Sequence, residues 1–382
     1  MMKNEKKAVK KIKIRVKSRT SNLKFRDMSQ TAGKYEEQAI WLMHHQKAED
    51  AEEYLHSAWE ICRKIFSNSN EEQARTDLVQ CGSRLATLLL QQGRLDETEE
   101  ICNMSLDALA EVERGEDMLT AAFAHNQMTV WVQLAECTCA KGQYYVAQHL
   151  FLDRAIEISR NLFLKMQSLQ SCYDYSDCLL KRAKMLMMSD FCEEAEKDLS
   201  TVEKDAWLRH RIGPSRDTEL YLVKVKLHRL DLLLKAGNDQ GADKEDLEIL
   251  QMIHKLHRGE ASAEILKLMA SFYILCGDLN MSKDMPEKAR NSYSRGYEFA
   301  KKLVYADLTN HSEYLLAYAC FKMKTVSAGK EKSEYYQEAL ALMRDLSMKN
   351  PRNRYFEQIV WTLESSGLFG DDYRKLFLSY LE

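Results

Sequence analysis

Helix-breaking residues are scarce in this chain. Its 382 residues include 14 glycines and 3 prolines, whereas average usage of roughly 7% and 5% would give about 27 and about 19. Proline interrupts the helical hydrogen-bond ladder, and glycine costs about 1 kcal/mol relative to alanine inside a helix. The shortage of both therefore favours long helices.

Long apolar runs are also absent. No stretch approaches the roughly 18 apolar residues that cross a bilayer. The N-terminus is basic, but no continuous apolar segment follows it, so the sequence has no secretory signal. We therefore expect a cytoplasmic protein that does not interact with a membrane.

Motifs for catalysis and for metal binding are missing as well. The sequence contains no GxGxxG, GxxxxGK[ST], GxSxG or HExxH pattern. Its ten cysteines include no CxxC pair and no zinc-type Cys/His spacing. His254 and His257 share a helix face without a suitably spaced acid or cysteine. We expect no catalytic residues, no metal and no cofactor, and therefore a protein that is not an enzyme.

Charge is distributed unevenly along the chain. Residues 1–26 carry a net charge of +10 and the remainder carries −13. Between residues 12 and 17, Ile and Val alternate with Lys and Arg, which is strand periodicity. This arm is interpreted as a solvated tail, an added strand on a partner sheet, a nucleic-acid contact through residues 3–26, or an organellar presequence. Its principal basic residues are Lys10, Lys11, Lys13, Arg15, Lys17 and Arg19.

A second basic cluster precedes a turn signal in the middle of the chain. Arg209-His210-Arg211 stands just before Gly213-Pro214. Glycine and proline together indicate a loop. The sequence therefore predicts that these three side chains face solvent, where they could touch an anionic partner.

One sequence pattern recurs with a long period. A first helix carries small residues, a turn follows, and a second helix begins with an apolar or aromatic residue and then a small one. Small residues let two antiparallel helices approach closely, and the larger side chains fill the space between pairs. The clearest copy reads Trp131-x2-Leu134-Ala135-x6-Gly142-x-Tyr144-x2-Ala147-x3-Phe151.

This copy resembles the tetratricopeptide (TPR) consensus, and degenerate copies keep its register over about residues 34–350. The turn positions are predicted at Gln46, Gly93, Gly142, Asp190, Gly237 and Gly277, in steps of 47, 49, 48, 47 and 40 residues. Such steps resemble the long-helix variety found in proteins similar to kinesin light chains and bacterial peptide-sensing regulators. The last step is short, and residues 278–284 look like a seven-residue insertion in the fifth copy's turn.

The resemblance implies an all-α fold, a TPR-like right-handed α-solenoid of about six helix pairs with C-terminal capping helices. We expect a basic, disordered arm over residues 1–33 and helical repeats over residues 34–351. Capping helices are expected over residues 352–382, because the last repeat has no neighbour to cover it.

The resemblance also implies a partner-binding groove lined by the first helices. Its inward-facing positions are Gln80, Ser83, Thr87, Thr129, Val132, Glu136, Leu180, Lys184, Met187, Lys224, Leu227, Asp231, Lys267 and Ser271. This mixed lining suits a peptide or a helix more than a bare anion. The expected function is a non-catalytic scaffold or adaptor that binds a protein or peptide ligand. The alternatives are a peptide-sensing regulatory protein that modulates a partner protein, and nucleic-acid association through the basic arm.

Overall fold

A computed structural model describes residues 25–44, 48–68, 72–110, 121–257, 262–307, 309–349, 351 and 354–366. These residues are almost entirely helical and include no β-strand. None of their helices is both long and apolar enough to cross a membrane. The basic residues predicted between Lys10 and Arg19 lie outside the described residues, as does the end of the predicted capping segment.

The helices follow one another through short turns. They are α1 (Phe25–His44), α2 (Ala48–Asn68), α3 (Glu72–Gln91), α4 (Leu95–Ala110), α5 (Ala121–Ala140), α6 (Tyr144–Val146), a π-helical segment (Ala147–Leu152), α7 (Asp153–Met166), α8 (Leu169–Met188), α9 (Cys192–Ile212), α10 (Arg216–Lys235), α11 (Asp239–His257), α12 (Ala263–Ser282), α13 (Pro286–Ala306), α14 (Asn310–Val326), α15 (Gly329–Lys349) and α16 (Arg354–Ser366). Most are 16 to 21 residues long, as the repeat spacing predicts.

The chain forms two compact units. The first comprises the described residues of Met1–Gly142 with Asp153–Leu162, and the second comprises those of Gln143–Leu152 and Phe163–Glu382. In each unit, most consecutive helices pack against each other, and first helices of successive pairs also touch: α3 with α5, α8 with α10, α10 with α12, and α12 with α14. Each pair thus covers the apolar side of the next, which is how an α-solenoid is stabilised.

A left-handed residue ends the first helix of most pairs. Positive φ angles occur at Gly93 (69°), Gly142 (80°), Asp190 (64°) and Gly237 (67°), at four of the predicted turn positions. The amide that follows the left-handed residue donates to the carbonyl five residues earlier, as in Phe191 N to Leu186 O at 2.9 Å. This hydrogen bond caps a helix C-terminus in the Schellman motif.

The predicted turn at Gly277 is wrong. Gly277 lies inside α12, and the left-handed residue of this copy is Asp284, with φ 57°. A Cβ at Gly277 would overlap the ring of Tyr293 on α13, so this glycine permits a close helix crossing instead of a turn. The step from Gly237 is therefore 47 residues, not 40, and residues 278–282 of the predicted insertion belong to the helix, with the turn following at Asp284.

The described residues form seven helix pairs, one more than the number of turns identified in the sequence. The seventh pair is α14 with α15, joined near Gly329 (φ 55°), and α16 packs against α15. Tyr336 Oη of α15 donates to the Leu363 carbonyl of α16 at 2.9 Å. The predicted end of the basic arm at residue 33 falls inside α1, so residues 25–33 belong to the first helix.

A charged cluster lies inside the second unit. The Lys226 side chain is about 1% exposed, and its Nζ lies 3.0 Å from Glu203, 2.9 Å from Glu245 and 2.8 Å from Glu248. Arg229 pairs with Glu203 from the opposite side. Although burial alone would lower it, the hydrogen bonds to these carboxylates raise the pKa of Lys226. Three helices, α9, α10 and α11, are tied together here by ion pairs as well as by apolar contact.

Candidate functional site

The predicted groove positions do not share one environment. Partly or fully exposed side chains are Gln80, Ser83, Thr87, Thr129, Glu136, Lys224 and Lys267. Buried ones are Val132, Leu180, Lys184, Met187, Leu227, Asp231 and Ser271. The buried group packs between helices. The predicted groove positions in α12 depend on a turn at Gly277, which is seven residues before the turn that the structure has at Asp284.

Two of the predicted positions in the first unit take part in contacts between first helices. Gln133 Nε2 of α5 donates to the Ser83 carbonyl at 2.7 Å and to Thr87 Oγ1 at 2.8 Å on α3. These bonds tie neighbouring first helices together. Ser83 and Thr87, which were predicted to bind a ligand, therefore already form hydrogen bonds that join neighbouring repeats.

The second unit contains a cavity of about 360 Å³. It is bordered by α8, α9, α10 and α12, and five of its lining residues come from the first part of α10. The lining side chains are Tyr173, Ala206, Arg209, Asp217, Thr218, Leu220, Tyr221, Lys224 and Glu264. Among them, Lys224 is also a predicted position of the partner-binding groove.

Arg209 is the central polar group of this cavity. It lies in the last turn of α9 and is 5% exposed, so the prediction that it faces solvent in a loop is wrong. Its Nη2 donates to the Cys172 carbonyl and to Ser176 Oγ, both at 2.8 Å, and it pairs with Asp205. Glycine and proline end the helix only after Ile212, which is why the turn signal misplaced the arginine.

The remaining donors of Arg209 have no hydrogen-bond acceptor among the described residues. Nε and Nη1 are buried without one, and so is the hydroxyl of Tyr221. The guanidinium carbon lies 3.8 Å from the ring centroid of Tyr173 and 5.5 Å from that of Tyr221. The two rings give cation–π attraction of about 0.5–2 kcal/mol each but do not replace an oxygen acceptor. Two side chains that line the cavity thus carry three buried donors without an acceptor.

The wall is close to electrically balanced. Asp205 offsets Arg209, and Lys224 Nζ lies 2.7 Å from Glu264 across the cavity rim. Asp217 adds a further negative charge. A phosphate would meet little net positive charge here, whereas a neutral carbonyl would satisfy the donors without adding charge.

The pKa shifts in the wall do not favour proton transfer. Burial raises the pKa of Tyr221, so its hydroxyl remains protonated and can only donate or accept a hydrogen bond. Against the effect of burial, the neighbouring Asp205 raises the pKa of Arg209 still further. Neither group exchanges a proton near neutral pH, which a general acid or base must do.

A second cavity of about 410 Å³ lies among α11, α12 and α13. Tyr273 and Phe299 stack there at 5.6 Å between ring centroids, and Arg295 lies 5.5 Å from the Tyr273 ring. None of its lining side chains is among the described buried groups that lack a hydrogen-bond partner. It therefore offers apolar contact with less polar definition than the Arg209 cavity.

Comparison with known proteins identifies the fold. No family model and no curated protein matches the chain. Among solved structures, the apo form of the quorum sensor NprR from B. thuringiensis is similar over 94% of this chain and 94% of its own, with 14% identity and a TM-score of 0.52. The apo form of RapI is similar over 92% of this chain and 86% of its own, with 14% identity and a TM-score of 0.50.

A tetratricopeptide repeat protein from Parabacteroides merdae also matches, over 76% of this chain and 99% of its own, but its TM-score is 0.34 at 16% identity. Identities this low show the fold alone. The fold is an all-α, TPR-like solenoid, as the sequence pattern predicts.

Proposed function

We propose that this chain is a non-catalytic, cytoplasmic peptide-binding protein, and that an uncharged stretch of its ligand enters the Arg209 cavity. The carrying observation is the set of three buried donors, on Arg209 and Tyr221, that lack an acceptor. A buried donor without a partner costs about 1–3 kcal/mol. A ligand that supplies acceptors recovers this cost, which favours binding of one at these donors.

The chemistry of the wall favours a peptide group over a small anion. A peptide group offers a carbonyl acceptor and an amide donor together. Arg209 and Tyr221 would take the carbonyl, while Asp217 and Glu264 are acceptors at the rim. Tyr173, which is 37% exposed and covers the guanidinium, is the side chain that would move to admit the ligand.

Peptide sensing by a regulator is a second candidate, and the fold shared with a structure described as a quorum sensor favours it. In that case the bound peptide would change the affinity of the chain for a partner protein. The nucleic-acid alternative concerns the basic arm, which lies outside the described residues. It stays a prediction, and deleting residues 1–24 should abolish any salt-sensitive nucleic-acid binding while leaving the helical circular dichroism intact.

The test is an affinity selection from a random peptide library, N-acetylated and C-amidated, on the immobilised full-length chain. Selected peptides are then titrated by calorimetry against variants. Tyr221→Phe removes one donor and should weaken binding about 5- to 10-fold, and Arg209→Lys should weaken it more, because lysine lacks the planar fork.

Arg211→Lys is the matched control, since Arg211 is exposed two residues further along the same helix. It should bind like the unaltered chain. Equal affinity for all four proteins would show that the ligand binds elsewhere. Failure of the library to yield any saturable ligand would count against peptide binding itself.

A further inference from the structure

A cluster of metal-ligating side chains lies in the first unit, far along the chain from the Arg209 cavity. Glu36 of α1, Cys62 of α2 and Cys81 of α3 each offer one ligand atom, and these atoms lie within 4.8 Å of one another. We propose that this cluster binds a thiophilic divalent cation of the zinc class. The inference is independent of the proposed peptide binding.

The ligand atoms lie near one another, within 4.8 Å, although not at the spacing of a bound zinc ion. Zinc binds thiolate sulfur at about 2.3 Å and carboxylate oxygen at about 2.0–2.2 Å in tetrahedral arrangement. Two ligand atoms of such a site are then roughly 3.5–3.8 Å apart. Ligand atoms that lie within 4.8 Å of one another can reach these distances through small side-chain movements, without displacement of a helix. The fourth tetrahedral position is left for water.

The charges of the site also balance. Glu36 is paired with Arg84, whose positive charge offsets the carboxylate. Binding of the cation breaks two S–H bonds, forms two metal–sulfur bonds and releases two protons to water. One dication thus replaces two protons, and the net charge of Glu36, Cys62, Cys81, Arg84 and the cation stays zero. No uncompensated charge is buried, which is the usual obstacle to an ion in a helix interface.

The competing explanation is that these are ordinary core cysteines. Cys62 is 2% exposed and Cys81 is fully buried, as is common for free cysteine. Other thiols in the chain donate to oxygens, as Cys276 Sγ does to Asp246 at 2.7 Å, and Cys81 Sγ itself lies 3.8 Å from the Leu55 carbonyl. The Glu36 cluster differs because, in the part of the chain that the structure describes, it is the group in which three metal-ligating side chains, one carboxylate and two thiols, converge.

The sequence could not indicate this site. Its three residues come from three successive helices, 26 and 19 positions apart, and none forms a CxxC or CxxH pattern. Metal motifs are recognised by short spacings within one turn or loop. Only the packing of α1, α2 and α3 brings the ligands together, so the expectation of no metal followed from spacing alone.

The test uses Co²⁺ as a spectroscopic probe and Zn²⁺ as its competitor, on the reduced full-length chain. One equivalent of Co²⁺ should give sulfur-to-cobalt charge-transfer absorption, and Zn²⁺ should abolish it. Zinc addition in weak buffer should release about two protons per chain. Absence of the charge-transfer band at one equivalent, with the chain folded by circular dichroism, would overturn the proposal.

Variants locate the ligands. Cys62→Ser and Cys81→Ser should each lose the band, whereas Cys102→Ser, a buried cysteine outside the cluster, should keep it. Because core substitutions can impair folding, Glu36→Gln is the second variant, at a side chain that is partly exposed. Loss of the Glu36 carboxylate should weaken zinc binding at least 10-fold while the helical circular dichroism is unchanged. Unaltered zinc affinity in Glu36→Gln and in both serine variants would assign the metal to another site.

Discussion

Replacing Lys226 with methionine removes the positive charge from a point where three glutamates meet. Glu203 and Glu245 are buried there, and the side chain of Glu248 is 43% exposed. Removing one partner of a buried ion pair costs about 3–5 kcal/mol, because the remaining charge is left without compensation. Glu248 can turn to solvent and Glu203 keeps Arg229, so the loss falls mainly on Glu245.

The loss should depend on pH. Burial already raises the pKa of Glu245, while Lys226 and Arg229 hold the pKa of Glu203 below its ordinary value against the effect of burial. Without the ammonium group, the pKa of both carboxyls rises in the folded state and not in the unfolded one. A raised carboxyl pKa costs stability above that pKa and costs nothing below the unfolded value of about 4.3. The destabilisation of Lys226→Met should therefore be largest near pH 7 and shrink on acidification.

Urea denaturation followed by far-ultraviolet circular dichroism at pH 7 and pH 5 measures this. We expect a loss of about 3–5 kcal/mol in the free energy of unfolding at pH 7 and a smaller loss at pH 5. Lys255→Met is the matched control: Lys255 lies 2.7 Å from Glu219, but its side chain is 66% exposed, so the change should be under about 1 kcal/mol. A loss below about 1 kcal/mol for Lys226→Met, or one that is equal at both pH values, would refute the reasoning.

Three further predictions concern glycines and a histidine. Gly142→Ala should lower the free energy of unfolding by about 1–2 kcal/mol, because φ at this position is 80°. Gly33→Ala, at a helix position with open space around it, should raise the free energy of unfolding by up to about 1 kcal/mol. Urea titration distinguishes the two, and equal effects would contradict the argument from φ. Gly277→Ala should cost about 1–3 kcal/mol through overlap with the Tyr293 ring, and a neutral result would mean that the crossing of α12 and α13 is looser than described. Burial lowers the pKa of His311 to about 3, so the unfolded state takes up a proton below pH 6.5 that the folded state does not. His311→Gln should therefore remove about 1.6 kcal/mol of the stability loss between pH 6.5 and pH 5, and an unchanged pH profile of urea midpoints would rule this out.

The repeat spacing could be predicted from the sequence because it depends on local chemistry. Left-handed helix ends require glycine or a short polar residue, and such residues recur at Gly93, Gly142, Asp190 and Gly237. The same rule failed at Gly277, since a glycine also serves where two helices cross closely. The sequence contains both kinds of glycine, and only the position of Tyr293 on the next helix distinguishes them.

The candidate site was beyond prediction for a related reason. Arg209 was assigned to a loop from the neighbouring glycine and proline, but α9 continues to Ile212 and buries the guanidinium against two tyrosines. Tyr173 and Tyr221 are 36 and 12 residues away in the sequence. Burial of a charged group depends on what lies across the helix interface, and no residue pattern on α9 alone encodes it.

By itself, the sequence determined that the chain is helical, how long its helices are and where most of them end. These properties follow from interactions over one or two helical turns, namely propensity, capping and the spacing of small residues. Tertiary structure alone decided which polar side chains became buried together, as Arg209 with its tyrosines and Cys62 with Cys81. Those contacts join residues from different helices, so their energies depend on the packing of the repeats.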